Sequence, residues 1–392
     1  MQKIVTGIDI GSYHVKVVIA EHPQDPRQAP RILGIGYAES RGLRHGYIVS
    51  VSDISRSIAA AVAQASKAAQ QKVKRVYISI GGIGLEEAFA RGETVVERGN
   101  SEISERDISR VLDGSEAALM PATLLNRKII HRIPLYYSID GVKVLGRSPV
   151  GMKGTRISVE TIFITCLEQH INDLIAAVEE AGMEVEDVVA APIAASFVAL
   201  TKTQKRVGCV LANIGSETLS IIVFEDTVPI SVKVFPVGGS DITNDLALGL
   251  RIAPEEAEQL KQGAVFGSPY PKRKIDDLIS KRVSDMFKLV EAHLKKIHKD
   301  ELLPGGIILT GGTSSLQTVA DLARAALRLP SRIASLAEGA ASKMQVKDGS
   351  WAVAYGLTIW GFTQGGDLEQ PSGSSIGETL QAAWRWCKKF LP

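Results

Sequence analysis

Asp9, Gly11 and Ser12 are the first residues in the chain able to hold a phosphate and its metal. At a constant offset of 204, from Asp9 to Asn213, the chain presents the group again as Asn213, Gly215 and Ser216. A glycine in a turn lets backbone N–H groups approach an anion closely, and the serine hydroxyl adds a donor. Asp9 supplies a hard oxygen ligand suited to Mg²⁺, usually through retained waters. The surrounding text matches without a gap: Ile8–Glu21 reads IDIGSYHVKVVIAE and Ala212–Glu225 reads ANIGSETLSIIVFE. One Gly-Ser turn between strands is commonly just a hairpin. Two in one register, each opening a different half of the chain, predict two jaws facing one phosphate group.

Each copy predicts a strand, a turn and a second strand, because Val5, Ile8, Ile10, Val15, Val17, Val18 and Ile19 are apolar and mostly β-branched. Arg31–Tyr37 reads as a further strand, and Ser52 or Asp53 as the cap of a helix running to about Gln71. Val73–Ile80 is a strand broken by Gly81-Gly82, a turn and not a dinucleotide loop, since no full G-x-G-x-x-G follows. Residues 84–164 change texture and predict a compact insertion with its own small sheet. Strands at Glu93–Glu97, Lys128–Tyr137 and Arg156–Thr165 accompany a helix, Ser104–Ala118, with Asp107 a near miss to a capping box. His131 stands alone there and is expected to be structural or on the surface.

Glu168–Ala181 predicts a helix ended by Gly182, and Ala191–Ser196 a small-residue segment suited to close packing. After the second hairpin, a glycine turn at Val237–Thr243 precedes a helix. Pro254 and Gly263 frame another, which places Glu258 and Lys261 one turn apart. Lys272, Arg273, Lys274, Lys281, Arg282 and Lys288 mark a basic helix from Ile275 to about Lys299, either a solvated face or a receptor for an acidic peptide. Gly306–Thr310 is a short strand; Gly311-Gly312-Thr313-Ser314 is expected to open a helix whose bare N-terminus suits adenosine phosphates.

With 392 residues, 45% apolar and 22% charged, the chain predicts two α/β lobes, and a net charge near +2 argues against nucleic acid as a partner. Cys166, Cys209 and Cys387 share no metal or redox spacing, which fits a reducing, cytosolic setting. No signal peptide is read at the start, and no apolar run reaches the length of a membrane span.

Gly361–Ser375 is Gly-, Ser-, Gln- and Pro-rich and reads as a flexible tether. At about 100° per residue, Ile376, Leu380, Trp384, Trp386, Cys387, Phe390 and Leu391 fall on one side of a final helix. Arg385, Lys388 and Lys389 lie on the other. An amphipathic, Trp-bearing, basic helix of this kind suits the interface of an anionic membrane.

The paired hairpins, the Gly311-Gly312 turn and the small-residue segments Ala191–Ser196 and Ala352–Leu357 resemble the actin/Hsp70/sugar-kinase superfamily. More narrowly, the chain resembles the FtsA family of bacterial cell-division proteins over essentially its full length. GIDIGS (7–12), RVLDGSEA (110–117), PVGMKGTRI (149–157), AEQLK (257–261) and ILTGGTSSL (308–316) carry the resemblance. The resemblance implies an α/β, actin-like two-lobed ATPase fold with an inserted small α+β (1C, SHS2-type) subdomain and a C-terminal amphipathic helix. Residues 1–83 and 165–198 would form lobe 1, with 84–164 inserted; 199–240 and 305–349 would form the lobe 2 core, and 241–304 its 2B subdomain. Residues 350–362 would return to lobe 1, followed by a linker at 363–375 and a membrane-targeting helix at 376–392.

It also implies ATP with Mg²⁺ in the cleft. Asp9, Gly11, Ser12, Tyr13 and Lys16 would form phosphate loop one, and Asn213, Gly215, Ser216, Glu217 and Thr218 loop two. Gly239 would face the phosphates, Glu258 and Lys261 the ribose and base, and Gly311, Gly312 and Ser315 the adenosine side. Partners implied are the FtsZ tail on the basic segment, the chain itself in actin-like filaments, the anionic inner membrane at the division site, and later divisome membrane proteins on the insert.

One departure is chemical. Loop two of that family commonly begins Asp-x-Gly-Gly-Gly; here it is Asn213-Ile214-Gly215-Ser216-Glu217. Asparagine keeps the shape but loses the charge that orders Mg²⁺ and an attacking water, and Glu217 is expected to add negative charge near the phosphates. The expectation is nucleotide binding with slow or negligible hydrolysis and no residue assigned as catalytic. Rival readings are a PilM-like type IV pilus scaffold, a sugar or acetate kinase, and an Hsp70-type chaperone. The final helix opposes the first, Asn213 and the lack of a second acidic cluster the second, and the missing β-sandwich the third.

Overall fold

Two five-stranded sheets carry one strand order, written twice. The computed structural model describes residues 3–22, 29–97, 99, 101–144, 148–263, 270–335 and 348–364. The first sheet is built from β1 (Ile4–Ile10), β2 (His14–Glu21) and β3 (Arg31–Glu39). After it come a two-residue ladder, β4 (Leu43–Arg44) with β5 (Tyr47–Ile48), then α1 (Val51–Ala69) and β6 (Arg75–Ile80). The inserted segment holds β7 (Glu86–Val95), α2 (Glu105–Ala117), β8 (Arg127–Ile139), β9 (Val142–Lys143) and β10 (Arg156–Leu167), in the sheet order β7-β10-β8-β9. The chain then returns through α3 (Glu168–Glu180), β11 (Glu184–Ala190) and α4 (Ala191–Ala199).

The second half opens with α5 (Lys202–Val207), β12 (Cys209–Ile214), β13 (Leu219–Glu225) and β14 (Val228–Phe235). Three helices follow, α6 (Gly239–Leu250), α7 (Pro254–Lys261) and α8 (Lys272–Lys296), then β15 (Ile307–Thr310), α9 (Val319–Leu327), β16 (Ser331–Ile333) and α10 (Ala352–Gln364). Sheet orders are β11-β6-β1-β2-β3 and β14-β13-β12-β15-β16, which coincide when one is read backwards. The hairpin turns sit at equivalent registers, Ile10 opposite Val15 and Ile214 opposite Leu219. In each half the first strand also pairs in parallel with the fourth, β1 with β6 and β12 with β15.

Strand periodicity sets the layers, because alternate side chains leave opposite faces. Cys209 and Leu211 of β12 join the core that contains α4 and α10, whereas Val210, Ala212 and Ile214 join a second core with α6, α8 and α9. α4 and α10 therefore lie between the two sheets. They approach closely at Gly356, where a Cβ would stand 1.9 Å from the carbonyl oxygen of Ala194, so the expectation of close packing at these small-residue segments is met.

Several local expectations are revised. α1 begins at Val51, and Ser50 caps it by accepting from Asp53 N–H, not Ser52 or Asp53. Ser104 and Asp107 make a complete capping box, since aspartate also reaches back to the Ser104 N–H at 2.9 Å. The strand read at Glu93–Glu97 is the end of the longer β7, held along its length by β10. The helix that opens at Gly312 is a single 3₁₀ turn, Gly312–Ser315, and not an α-helix: the hydroxyls of Ser314 and Ser315 donate to the carbonyls of Gly311 and Gly312, and α9 starts only at Val319. The tether read from Gly361 is revised at its start, because residues 361–364 are the last turn of α10 and Gly361 is buried; the rest of it and the residues from Ile376 to Leu391, Cys387 included, lie outside the described residues. Among the described residues no helix is long and apolar enough to cross a membrane.

Candidate functional site

The two Gly-Ser turns meet across one cavity of about 700 Å³ between the lobes. Lobe 1 contributes Asp9, Gly11, Ser12, Tyr13 and Lys16 from the β1–β2 turn; lobe 2 contributes Asn213, Gly215, Ser216 and Thr218 from the β12–β13 turn. Gly239, Glu258, Lys261, Gly311, Gly312 and Ser315 line the same space. Sixteen residues were expected here, and all but Glu217 lie on its wall.

Asp9 is held by Ser79, a residue outside the expected site although its strand is expected. Ser79, at the end of β6, donates to Asp9 Oδ1 at 2.9 Å and accepts the Ile10 N–H at 3.2 Å. Burial pushes the Asp9 carboxyl above its usual range, opposed by the Lys16 charge and the Ser79 hydroxyl. Burial likewise lowers Lys16, against the pull of Asp9 and Asp348, and its ammonium donates to the Ser350 carbonyl at 2.8 Å. The half-buried Asp9 carboxyl and Lys16 ammonium, both on the cavity wall, fit an incoming cation and phosphate. Among the described residues no three His, Cys, Asp or Glu side chains converge, so a Mg²⁺ beside Asp9 would rest on one protein carboxylate, waters and phosphate oxygens.

Loop two is braced by its neighbours. Gly239 N–H donates to the Gly215 carbonyl at 2.9 Å, Ser240 N–H to the Ser216 carbonyl at 2.8 Å, and the Ser216 and Ser240 hydroxyls bond at 2.7 Å. Thr313 donates its hydroxyl to the Gly215 carbonyl at 3.2 Å, so the β15 turn is fastened to the same loop. Gly311 has φ +87°, and a Cβ there would lie 2.5 Å from Asn213 Oδ1, which leaves the position to glycine.

Glu258 and Lys261 are not a solvated pair. Lys261 Nζ bonds Glu258 at 2.6 Å, the Gly239 carbonyl at 3.0 Å and the Thr243 hydroxyl at 2.8 Å, and Thr243 donates to Glu258 as well. Burial works against the Glu258 charge, but the bonds from Lys261 and Thr243 outweigh it and hold the carboxyl below its usual range.

Glu217 corrects an expectation. Its carboxylate turns away from the cavity and accepts the backbone N–H of His45, in the β4–β5 turn of lobe 1. Its negative charge is spent on the other lobe, not set beside the phosphates. His131, expected to be structural or on the surface, is buried in β8. Burial lowers its pKa to about 3, and the neutral ring accepts the Ala190 N–H at 3.0 Å.

The cations of α8 divide into two groups. Lys272, Arg273, Lys274 and Lys281 are exposed, whereas Arg282 is committed to Asp245 by two bonds of 2.7 Å and Lys288 pairs with Asp285.

A family model described as cell division protein FtsA matches residues 210–356, and one described as the SHS2 domain inserted in FtsA matches residues 88–165. Proteins described as cell division protein FtsA are similar along most of the chain. That of Enterococcus faecalis is 30% identical over 81% of this chain and 75% of its own length. That of Pseudomonas aeruginosa is 27% identical over 98% and 97%. Among solved structures, a PilM–PilN type IV pilus biogenesis complex has a TM-score of 0.69 at 17% identity, covering 91% of this chain and 98% of the other. MreB5 of Spiroplasma citri bound to ADP has a TM-score of 0.53 at 13% identity, covering 92% and 97%. Both likenesses concern the fold, which is actin-like.

Proposed function

The chain belongs to the FtsA family of cell-division proteins, and from that premise we propose that it binds ATP with Mg²⁺ and polymerises on the inner face of the cytoplasmic membrane. There it anchors FtsZ filaments to the membrane, its C-terminal helix engaging the lipid, and recruits later division proteins. The observation that carries the nucleotide reading is the meeting of two equivalent glycine turns across one cavity. Asp9 would hold the hydrated cation, both turns the phosphates, and Glu258 with Lys261 the ribose and base beside Gly311 and Gly312. Mg²⁺ would neutralise phosphate charge, and the chain's own residues would bind and orient the nucleotide. With Asn213 in place of a second carboxylate, turnover is slow.

Lys272, Arg273, Lys274 and Lys281 are exposed cations in the first half of α8 and suit an acidic FtsZ tail; Arg282, committed to Asp245, and Lys288, exposed but paired with Asp285, suit it less. The segment from Ile376 to Leu391, whose sequence has amphipathic helical periodicity, would supply the lipid anchor through Trp384, Trp386, Phe390 and Leu391, with Arg385, Lys388 and Lys389 for anionic headgroups. The pilus-scaffold alternative has fold likeness in its favour and no use for such a helix.

The test has two arms. A fluorescent ATP analogue with Mg²⁺ should bind the intact chain and bind Asp9→Ala far more weakly; equal affinity would remove the cleft assignment. Vesicles containing anionic lipid should pellet the intact chain and leave one ending at Gly373 in solution. If both or neither pellet, the anchor is not the last helix.

A further inference from the structure

The inserted sheet has two edges of unlike kind. β9 closes one side with 2 residues, whereas β7 runs 10 residues along the other and pairs, among the described residues, with β10 alone. A free edge presents a row of backbone N–H and C=O groups to any other strand, and proteins blunt such edges with short strands, proline, lysine, bulges or covering side chains. The outer edges of the two lobes are blunted in this way. Tyr37 N–H of β3 donates to Gln64 of α1 at 2.9 Å, and Val232 N–H of β14 donates to Glu87. β7 contains no proline or lysine, and its ladder with β10 runs from Glu86 to Val95 without a bulge.

One bond fixes which backbone groups face outward. Val96 N–H donates to the Thr155 carbonyl at 2.9 Å, and the groups of an antiparallel ladder alternate between the paired side and the free side. Phe89, Arg91, Glu93 and Val95 therefore turn their N–H and C=O groups to the free side. Among the described residues only the Val95 carbonyl has a partner there, Arg110 at 2.8 Å, and it keeps a second lone pair. The side chains of the same four residues share the sheet face away from α2, because Gly92 between them lies against that helix. A Cβ on Gly92 would stand 2.1 Å from the Val111 carbonyl oxygen. Phe89 and Val95 are 48% and 59% exposed, an unusual degree for apolar residues on a strand. One Glu93 oxygen is bonded by Arg156 at 2.8 Å; the other lies 3.8 Å from Arg91, beyond hydrogen-bond length.

We propose that β7 is a two-fold contact surface, pairing antiparallel with β7 of a second copy about Gly92 so that one sheet runs through both chains. The residues around Gly92 specify the register. A strand crossing its own copy at Gly92 sets Arg91 against Glu93 and Phe89 against Val95, and the two-fold axis repeats both pairs. Each pair joins two residues whose backbone groups face outward, as ladder bonding requires. Moving the crossing to Arg91 or to Glu93 sets that charge against its own copy, so the side chains select one pairing. The contact closes on itself, which makes it separate from head-to-tail growth, and it does not rest on the polymerisation proposed above.

Sedimentation of the full chain without nucleotide tests this contact. Association should rise with concentration and stop at twice the mass of the chain, and hydrogen exchange along residues 89–95 should slow as it does. Arg91→Glu and Glu93→Arg, both at exposed positions, should each weaken association by about tenfold or more, because each sets like charges face to face. Mixed in equal amounts, the two variants should recover the association of the unaltered chain, since every opposed pair then carries opposite charges. That recovery also shows both variants to be folded. An unaltered chain that stays monomeric, a variant that associates as well as the unaltered chain, or a mixture no better than its components overturns the proposal. Polymerisation is read separately, as ATP-dependent growth beyond twice the mass in Arg91→Glu, so its failure sinks that reading and leaves this one standing.

Discussion

The backbone N–H of His45 donates to the carboxylate of Glu217, tying the β4–β5 turn of lobe 1 to phosphate loop two of lobe 2. The turn is seated from below, since a Cβ on Gly46 would come within 2.4 Å of Gly82 Cα. A ligand between the lobes therefore lies behind a cross-cleft tie made by a charged acceptor, and such bonds contribute about 1.5–3 kcal/mol. Glu217→Ala should release a fluorescent ADP roughly tenfold faster, and Glu217→Gln by less, because an amide oxygen still accepts. Stopped-flow displacement measures both; unchanged release rates would show that the tie does not gate the cleft.

Asn213 is fixed against Gly311, so Asn213→Asp changes charge at constant shape. The variant places a second carboxylate opposite Asp9 across the cavity, where it can order a hydrated cation and a water. Magnesium-dependent ATP turnover should rise by about tenfold or more, and phosphate release assays over a magnesium series would record it. Equal turnover in both chains would move the cause of slow hydrolysis away from this position.

Two glycines in helices should respond to alanine with opposite sign. At Gly356 the added methyl meets the Ala194 carbonyl of the facing helix, a backbone atom that cannot step aside, and overpacking of this kind costs about 3 kcal/mol. At Gly114 in α2 an added Cβ would meet no side chain or facing backbone within 4 Å, so alanine should stabilise by up to about 1 kcal/mol through helix propensity. Urea denaturation of both variants checks the pair. A neutral Gly356→Ala would mean that α4 and α10 can slide apart.

What could be read ahead of the structure was local or repeated. The Gly-Ser turns, the strands beside them and the start of the insertion near Gly84 follow from residue types within a few positions, and the duplication extends to the order of both sheets. Ser79 gave no such signal. A serine ending a strand is ordinary until parallel pairing of β1 with β6 brings it to Asp9. The direction of Glu217 depends on how the lobes close, which no window along the chain contains. The delayed start of α9 turns on hydroxyls that bond backward to Gly311 and Gly312, a competition of side chain with helix.

Asp187, at a register shift in β11, accepts the Trp360 indole N–H at 2.7 Å and so joins the first sheet to α10. Burial pushes its carboxyl up to about 6, against the indole and Val188 bonds that favour the charge. An unfolded aspartate titrates near 4. Between those values the folded chain keeps the proton that the unfolded chain has shed, so this group's contribution to stability falls as pH rises from about 4 to 6 and is flat above. Asp187→Asn still offers an oxygen to the indole but cannot titrate. Its stability relative to the unaltered chain should therefore improve by roughly 1–2 kcal/mol between pH 4.5 and 6.5. Denaturant titrations of both chains at several pH values measure that difference directly, with every other titrating group common to the two. A difference that stays constant or shrinks with rising pH would mean that Asp187 is charged in the folded state throughout.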